Sequence, residues 1–502
     1  MPDWFDVTGG HKNKCSKHTT LPLNTANPVT TVNLPVLLQQ SLGTREEKDM
    51  KETMRQLTDL TWYAPVEAGG VNLADSRCTL TGDQVDMMVR NGFWKPFVGA
   101  KFGRKPKGVC RVFTVDELWK NRARVISWTF TINGTPGMKP EMEMFLQQQV
   151  RHLVWEGDCA ASIDGKSAFN QLGMDDDVGE FFCVLTERGW MQICRAPMGS
   201  RGAPKAAHTI LNVLSATMKS TKVTYVDNLL GIGKKGNPQL LRDLEEVRAR
   251  GKEANYTFNE DLSDLEALIK ETVEFLGTNL DFKNKKVNLV DKVLAKLATV
   301  WSRRHEWSVR DFIVCVCILQ YTATVLGRDM GAWQCVLQRW ARAQGECFAD
   351  HTMLEAEYVE DEEVEVAMIE WIALTMRNDW VPVPKQGLKK AEFVLVTDAS
   401  KDRWAGIMIC CSSGLTTTME GDWPEEIAEA VKSSSVAEPL AVIAAAHTFI
   451  DPSAKISVKH VGDNIGSVDE INRGHATREG RFLAEYLHKH FPRATFTSDH
   501  YP

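Results

Sequence analysis

The stretch TYVDNLLG, residues 224–231, places the tight pair Asp227-Asn228 between two apolar runs and predicts a β-hairpin. Upstream, SIDGKSAFNQL (162–172) begins with a short apolar run that ends at Asp164 and predicts a strand. A carboxylate at a strand end beside another on a tight turn can share two divalent ions, as phosphoryl transfer requires. Most acidic residues are only solvated surface, so the surrounding sequence must decide whether Asp164 and Asp227 bind metal.

The sequence around these two aspartates contains four motifs in a fixed order: SIDGKSAFNQL (162–172), RAPMGSRGAP (195–204), TYVDNLLG (224–231) and EFLG (274–277). Over roughly residues 90–340 this ordered set resembles a retrotransposon reverse transcriptase. The matching positions are Asp164 with Phe169; Arg195, Pro197, Gly199, Ala203 and Pro204; Tyr225, Val226 and Asp227; Phe275, Leu276 and Gly277; and, in RARVISWTFTIN (122–133), Arg124 and Asn133. The resemblance implies a polymerase right hand with fingers, palm and thumb.

The resemblance also implies a role for each matching residue. Asp164 and Asp227, with Asn228 beside them, are the candidate catalytic residues, and the two aspartates are the candidate ligands of two Mg²⁺ (or Mn²⁺) ions. The candidate nucleotide-binding residues are Arg122, Arg124, Gly165, Lys166, Ser167, Ala168, Phe169 and Gly199. Phe169 would exclude a 2′-hydroxyl and so select deoxynucleotides, and Phe275, Leu276 and Gly277 would grip the primer. Two alternatives stay open: Phe169 as a plain core residue, and Arg122 and Arg124 as surface charges.

One position departs from the family pattern. The usual second aspartate of the hairpin turn is Asn228 here, which is neutral and removes one negative charge from the site. Three outcomes follow: an enzyme that works with two carboxylates, a weak enzyme, or a decayed copy. No clear lysine follows the helix predicted at 237–255, where the family often has one; Lys270 is a loose candidate.

A second set of acidic residues lies near the C-terminus. Asp398 ends a predicted strand in VLVTDAS (394–400), Glu438 opens a predicted helix, and Asp463 follows a strand in VKHVGDNIG (458–466). Three strands, a helix, a strand, two helices and a strand, with acids at these places, resemble an RNase H-like α/β domain. The resemblance implies that Asp398, Glu438 and Asp463 are catalytic ligands of two further ions. A fourth carboxylate is usual on a last helix, and because the sequence ends at TFTSDHYP we expect a C-terminally truncated domain.

Charge and composition set the domain organisation. The chain of 502 residues has a net charge of −7, which argues against a wholly basic nucleic-acid binder but allows a local basic channel. The basic stretch 95–124 is either such a template channel or a solvated basic face. We predict an α+β protein with four parts: an N-terminal extension at 1–90, fingers and palm at 91–290, thumb and connection at 291–390, and the RNase H-like domain at 391–502. Within the extension we expect a loosely ordered arm over the first 60 or so residues and a helix near 45–60. Ten acids without Lys or Arg at 346–370 mark the change before the last boundary.

The sequence also bears on location. It contains no run of 18 apolar residues and its N-terminus lacks an apolar signal core, so we expect an intracellular protein, cytoplasmic or nuclear, neither secreted nor bound to a membrane. None of the 12 cysteines forms a C-x-x-C pair, which suits reduced thiols. His11, Cys15 and His18 supply only three ligands, so a polar tail is favoured over a zinc site there.

The predicted function is an RNA-directed DNA polymerase with an associated RNase H domain, copying retroelement RNA. Its expected partners are an RNA template, a DNA primer or RNA/DNA hybrid, and dNTPs. The phrases WEGDCAASIDGKSAF and ILQYTATVLG resemble the tyrosine-recombinase (DIRS-like, VIPER-like) branch of retroelements. Asn228 and the short C-terminus favour an alternative, a non-catalytic nucleic-acid-binding protein derived from such an element. A third possibility, an RNA-templated RNA polymerase, is disfavoured by Phe169.

Overall fold

The structure is a computed structural model that describes residues 19–117, 121–135, 142, 147–328, 330, 333–359, 361–384, 391–473 and 482–500. The helices are α1 Leu34–Ser41, α2 Glu47–Thr58, α3 Ala64–Gly69, α4 Gly82–Arg90, α5 Phe130–Gly134, α6 Gln147–Val150, α7 Ala168–Gln171, α8 Asp176–Gly179, α9 Gly202–Leu214, α10 Gln239–Glu253, α11 Asp291–Trp301, α12 Val309–Leu326, α13 Gln334–Ala349, α14 Glu362–Met376, α15 Ser434–Phe449, α16 Ile465–Arg473 and α17 Phe482–His490. The strands are β1 Arg77–Cys78, β2 Trp94–Pro96, β3 Arg111–Glu117, β4 Arg122–Trp128, β5 Cys159–Asp164, β6 Cys183–Thr186, β7 Gly189–Ile193, β8 Thr221–Tyr225, β9 Asn228–Gly233, β10 Thr272–Phe275, β11 Thr278–Asp281, β12 Lys286–Leu289, β13 Val381–Pro382, β14 Phe393–Ala399, β15 Arg403–Cys410, β16 Thr416–Asp422, β17 Ser457–Gly462 and β18 Thr495–His500.

The chain forms two compact units. The first comprises Met1–Ile318, Asp350–Tyr358 and Asn378–Val383, and the second comprises Leu319–Ala349, Val359–Arg377 and Pro384–Pro502. The four-part division into extension, fingers and palm, thumb and connection, and RNase H-like domain stays a prediction.

The first unit contains the sheet that carries the two palm aspartates. Its strand order is β5-β9-β8, and both pairings are antiparallel. The apolar sides of these strands pack on α9, where Ile210, Leu211 and Leu214 are fully buried. Burial of such aliphatic side chains stabilises the fold by roughly 1.5–3 kcal/mol each. The sheet is therefore held firmly beneath the ends of β5 and β8.

The expectation of a loosely ordered N-terminal arm is wrong for residues 34–58. Helices α1 and α2 pack on α9, and Leu37, Met50 and Leu57 belong to the same core as the palm strands. The helix predicted near 45–60 is confirmed as α2. The polar composition concealed this role, because α2 buries only one narrow side, formed by Met50, Thr53 and Leu57.

Two small sheets precede and flank the palm strands. One has the order β1-β3-β4 and the other β2-β7-β6. The sequence Glu187-Arg188-Gly189 between two apolar runs predicts a hairpin, and the structure confirms it as β6 and β7, which turn through Gly189 at a φ of +90°. A shared core that includes the stacked rings of Tyr63 and Phe181, 4.9 Å apart, supports these strands.

Residues 272–289 form a three-stranded meander, which contains both turns that the sequence predicts, one at Phe275-Leu276-Gly277 and one at Lys283-Asn284-Lys285. β10 turns into β11 at Leu276-Gly277, and β11 turns into β12 at residues 282–285. Leu276 and Gly277 have φ values of +46° and +78°, which a two-residue hairpin turn requires.

The apolar region expected to hold one or two long helices forms α12 and α13. By length and composition α12 could cross a membrane, yet 61% of its apolar window is buried inside the protein. A mostly buried helix of this kind is typical of a protein core. In the second unit α13 packs against α14, and Trp333 stacks on Trp371 with ring centroids 4.5 Å apart.

The second unit ends in a five-stranded sheet with the order β16-β15-β14-β17-β18. β14, β15 and β16 are antiparallel, whereas β14, β17 and β18 run parallel. Helix α15 packs on β14 and β15, with Val442, Ala445 and Ala446 in the core. The predicted succession of strands and helices is confirmed for the described residues.

Candidate active sites

The palm site lies where the end of β5 meets the turn between β8 and β9. Asp164, the last residue of β5, is paired in register with Asn228, the first residue of β9. The backbone N–H of Gly165 donates to the carbonyl of Asp227 at 2.8 Å, so the two aspartates occupy neighbouring positions at one end of the sheet. The sequence prediction that this pair shares a site therefore agrees with the backbone pairing.

The turn that presents Asp227 is strained. Val226 has a φ of +55°, and a β-branched residue in this region is a genuine outlier that costs on the order of 1–3 kcal/mol. Such strain persists where the surrounding structure imposes it, and it is concentrated at functional sites. The conformation at Val226 is thus a second observation that marks this turn.

Asparagine side chains donate to both palm carboxylates. The Asn228 Nδ2 donates to Asp227 Oδ1 at 3.2 Å, and the Asn259 Nδ2 donates to Asp164 Oδ2 at 2.8 Å. The neighbouring Glu260 Oε2 accepts from the backbone N–H of Asp164 at 2.7 Å. Sequence reasoning missed Asn259 and Glu260, because nothing in their spacing shows that they pair with a strand almost 100 residues upstream.

A buried tyrosine fixes the identity of the residue after Asp164. The Tyr256 hydroxyl lies so close to the Gly165 Cα that a Cβ at position 165 would overlap it. Burial raises the pKa of Tyr256 well above its ordinary value, and the charges of Asp227 and Asp164 raise it further. The hydroxyl is therefore neutral, and Gly165 is required by close packing.

The two arginines predicted to bind phosphate are held by an acid. Arg122 Nε and Arg124 Nη2 lie 2.7 and 2.8 Å from the carboxylate oxygens of Glu117 on the paired strand β3. Burial raises the pKa of the Glu117 carboxyl, but hydrogen bonds from both guanidinium groups outweigh it, and the net pKa is lowered. The arginine side chains remain 38% and 40% exposed, so part of each guanidinium still faces solvent.

Two backbone N–H groups of the loop after Asp164 already donate to other backbone carbonyls. The Gly165 N–H donates to Asp227, and the Lys166 N–H donates to Thr257 at 3.0 Å. Ser167 takes a left-handed conformation, with a φ of +48°, immediately before α7. Of the predicted nucleotide-binding backbone, this leaves Ser167 and Ala168 as the residues that we expect to meet a triphosphate.

Gly199 connects two of the sequence motifs. Its φ is +117°, and a Cβ there would meet the backbone of Ser127 and Trp128. The Asn133 Nδ2 donates to the Gly199 carbonyl at 2.8 Å, while Asn133 Oδ1 accepts from the Arg201 N–H. The segment that carries Arg124 and Asn133 is therefore tied to the R-x-P-x-G loop.

The second acidic site lies at the end of the five-stranded sheet. Asp398 is on β14, Glu438 is on α15, and Asp463 follows β17. Their ligand atoms all lie within 4.8 Å of one another, as a set of metal ligands requires, with Glu438 buried and the two aspartates exposed. Carboxylate oxygens are the donors that Mg²⁺ and Mn²⁺ prefer, so the residues fit these ions.

Glu438 is harder to ionise than an ordinary glutamate. Burial raises the pKa of Glu438 to about 7, and the charges of Asp463 and Asp398 contribute to the rise. The Ala399 N–H, which donates to Glu438 Oε1 at 3.2 Å, offsets this only in part. Like-charged carboxylates held together in this way favour either a proton or a cation between them.

Comparison with known proteins supports the assignment of the palm. Residues 123–280, about a third of the chain, match the family "Reverse transcriptase (RNA-dependent DNA polymerase)". This segment is a reverse transcriptase domain. It contains both palm aspartates, the R-x-P-x-G loop and the Phe275-Leu276-Gly277 turn. No curated protein was found to match the chain.

Foamy viral protease-reverse transcriptases are among the solved structures to which the chain is similar. One in complex with double-stranded DNA is 12% identical, with a TM-score of 0.46, and the match covers 94% of this chain and 98% of that one. Another, in complex with an RNA/DNA hybrid, is 13% identical, with a TM-score of 0.48, and the match covers 94% and 63%. The DIRS-like assignment stays a prediction.

The predicted primer grip of the reverse transcriptase domain is a tight turn on a buried base. Phe275 is only 1% exposed, so its ring supports the hairpin from below and does not contact a primer. Leu276 is half-buried at the tip of the turn. A grip on the primer would therefore be made by the turn itself.

Two further expectations concern the chain ends. The proposed His11, Cys15 and His18 tail lies outside the described residues, as do residues 501–502. Asp499, on the last strand, forms an ion pair with Lys459. Among the described residues, the acidic trio does not include it.

Proposed function

We propose that the chain is an RNA-directed DNA polymerase that copies RNA by two-metal-ion nucleotidyl transfer. The observation that carries the proposal is the register pairing of Asp164 with Asn228, which sets two aspartates side by side inside a reverse transcriptase domain. Two hard carboxylates fit the oxygen preference of Mg²⁺ or Mn²⁺. Ions bound by Asp164 and Asp227 would lower the pKa of the primer hydroxyl and neutralise charge on the leaving group.

The reaction follows from this placement. The primer 3′-oxygen attacks the α-phosphorus of a dNTP and its hydroxyl proton passes to solvent water. A new P–O bond forms, and the bond to pyrophosphate breaks. Asp164 and Asp227 would hold the ions that align the reacting groups, and the packed sheet below the two aspartates keeps reorganisation small. The proposed partners are an RNA template, a DNA primer and dNTPs.

We also propose that the second acidic site hydrolyses the RNA strand of an RNA/DNA hybrid. Water attacks an RNA phosphodiester, and the 3′-oxygen leaves. The trio of Asp398, Glu438 and Asp463 supports this proposal, because its ligand atoms lie within 4.8 Å of one another. The raised pKa of Glu438 shows that its negative charge needs a compensating proton or cation. A chain with both carboxylate sites would combine DNA synthesis with hydrolysis of the RNA strand, which a polymerase with the palm site alone would not do.

Primer extension on poly(rA)/oligo(dT) with Mg²⁺ or Mn²⁺ tests the polymerase proposal. We expect incorporation of dTTP by the chain itself. We expect Asn228→Asp to raise the rate at low metal concentration, because it restores a carboxylate beside Asp227. Absence of extension by both proteins in either metal would contradict the proposal.

Asn228 favours one other candidate, a non-catalytic nucleic-acid-binding protein. Binding of an RNA/DNA hybrid that weakens steeply with salt, without nucleotide incorporation by the chain or by Asn228→Asp, would support it. Because phosphate contacts release counterions, the slope of affinity against salt counts those contacts.

Phe169 offers a test of sugar selection. The residue lies in the first turn of α7, half-buried against the palm core. We expect Phe169→Ala to raise incorporation of ribonucleotides relative to deoxynucleotides by roughly tenfold or more, since a steric block against one hydroxyl is worth about 1–3 kcal/mol. Competition between rUTP and dTTP measures this, with Phe182→Leu, at a buried phenylalanine outside the proposed sites, as a conservative core control. An unchanged ratio would assign Phe169 to the core alone.

A further inference from the structure

We propose that Asn259 is a positioning residue of the palm, which fixes the carboxylate of Asp164 for metal binding. The inference rests on the proposed function, and it assigns the work to a segment after α10 that we call the clamp, residues 256–260. The side-chain contact is the hydrogen bond from Asn259 Nδ2 to Asp164 Oδ2, at 2.8 Å.

The clamp is joined to the Asp164 loop through its backbone. The Asn259 N–H donates to the Asp164 carbonyl at 2.8 Å, and the Lys166 N–H donates to the Thr257 carbonyl at 3.0 Å. Gly165 and Phe258 form the antiparallel bridge between these two bonds. The clamp therefore prolongs the pairing of β5 beyond its last residue and fixes the backbone on which the Asp164 side chain stands.

A buried glutamine keeps the clamp in register. Gln171, which is 0% exposed, donates through Nε2 to the carbonyls of Lys166 at 2.7 Å and Thr257 at 2.8 Å. Its Oε1 accepts from the Thr257 N–H at 2.8 Å. One side chain thus makes hydrogen bonds to both segments, and a fully satisfied buried polar group of this kind rigidifies its surroundings.

Apolar packing anchors the clamp from the other side. Tyr256 and Phe258 are 6% and 8% exposed, and their rings meet edge to face with centroids 5.0 Å apart. Both rings belong to the palm core. Asn259, by contrast, is exposed, so it projects from a rigid base towards the carboxylate that it holds.

The amide side chain of Asn259 is suited to orienting the Asp164 carboxylate. It is neutral, so it orients Asp164 without cancelling the negative charge that attracts the cation. A lysine at this place would compete with the metal electrostatically, whereas a hydrogen bond from a neutral donor only restricts the orientation of the carboxylate. Partners that orient a ligand in this way typically contribute 10–100-fold to metal affinity or activity.

Glu260 completes the contact without acting as a third ligand. Its Oε2 accepts from the Asp164 N–H. Within the described ranges, the trio at 398, 438 and 463 is the one group of three such residues whose ligand atoms lie within 4.8 Å, so Glu260 forms no such group with Asp164 and Asp227. The clamp therefore acts through the position of Asp164.

Mn²⁺ binding by the full-length chain tests the inference, measured from the EPR signal of free Mn²⁺. Asp398→Asn and Asp463→Asn in every variant disable the second acidic site, so that the titration reports on the palm. We expect Asn259→Ala to weaken the remaining binding by roughly tenfold. Asn259→Ser, which retains a donor, should recover part of that loss. Asn237→Ala, which removes the side-chain acceptor for the Gln239 N–H elsewhere in the unit, should bind Mn²⁺ as the parent does.

Primer extension by the same variants separates positioning from general damage. Asn259→Ala should raise the metal concentration needed for half-maximal rate by the same factor, and KM for dTTP at saturating metal should stay within about twofold. Equal Mn²⁺ affinity in Asn259→Ala and the parent would overturn the inference, as would an equal loss in Asn237→Ala. A loss of Mn²⁺ binding in Asn259→Ala, with a parent that binds Mn²⁺ but never extends a primer, would support the positioning role while contradicting the proposed polymerase.

Discussion

Replacing Asp227 with asparagine is expected to reduce primer extension about a thousandfold. The change leaves the size of the side chain almost unaltered. It removes one of the two palm carboxylates, which lie at the end of β5 and in the turn between β8 and β9. Stabilisation of charge by bound metal is worth several kcal/mol, and each 1.36 kcal/mol is a factor of ten in rate. With Asn228 already neutral, the Asp227→Asn site would retain Asp164 as its one palm aspartate.

The control for this experiment is Asp264→Asn, which removes an equal charge from an exposed acid of the same unit. Its side chain accepts only a local hydrogen bond, from the Ala267 N–H. We expect its rate to stay within about twofold of the parent, as surface substitutions usually change little. Extension by Asp227→Asn at more than a tenth of the parental rate would remove Asp227 from the catalytic site.

Glu438→Gln is expected to stabilise the metal-free protein above pH 7 while abolishing hydrolysis of an RNA/DNA hybrid. The pKa of Glu438 is raised from 4.5 to about 7 in the folded chain. Below pH 4.5 the carboxyl is protonated in both the folded and the unfolded state, so its burial costs nothing extra. Between pH 4.5 and 7 only the unfolded state ionises freely, so stability falls as pH rises, and above pH 7 the full cost is present.

The size of this effect follows from the same numbers. A pKa difference of one is worth 1.36 kcal/mol, so the cost above pH 7 is on the order of 3 kcal/mol at most. Glutamine keeps the acceptor for the Ala399 N–H and removes the charge. In EDTA at pH 8 we expect the melting temperature to rise by up to roughly 10 °C, and at pH 4.5 we expect no change.

The matched control is Glu426→Gln, at an exposed position of the same unit. Its melting temperature should equal that of the parent at both pH values. A rise that is the same at pH 4.5 and pH 8 would show that packing, not the charge, is responsible. Full cleavage of the hybrid by Glu438→Gln would contradict its role as a ligand.

Local patterns predicted the elements that carry the two acidic sites. An apolar run ending at Asp164 and the tight pair at Asp227 predict a strand and a hairpin, and the structure pairs that strand with the hairpin. Asp398, Glu438 and Asp463 were singled out by the resemblance to an RNase H-like domain, which rests on the succession of strands and helices, and the structure brings their ligand atoms within 4.8 Å of one another. That these residues bind metal stays a prediction.

Contacts over a long sequence separation were not predicted. Asn259 and Gln171 act on the Asp164 loop through a backbone bridge that no local pattern indicates. The burial of Met50 and Leu57 was missed because a narrow apolar stripe on α2 is diluted by charged residues. The pairing of Arg122 and Arg124 with Glu117, by contrast, lay within reach, because oppositely charged residues across a short hairpin attract one another.

The proposed polymerase activity depends most on cation binding between Asp164 and Asp227. Anomalous X-ray scattering from crystals of the chain with Mn²⁺, a primer-template and a non-hydrolysable dNTP would locate such an ion directly. We expect a manganese peak within about 2.2 Å of a carboxylate oxygen of each aspartate, as octahedral oxygen coordination requires. No manganese at this position, while the trio of Asp398, Glu438 and Asp463 is occupied in the same crystals, would contradict the account.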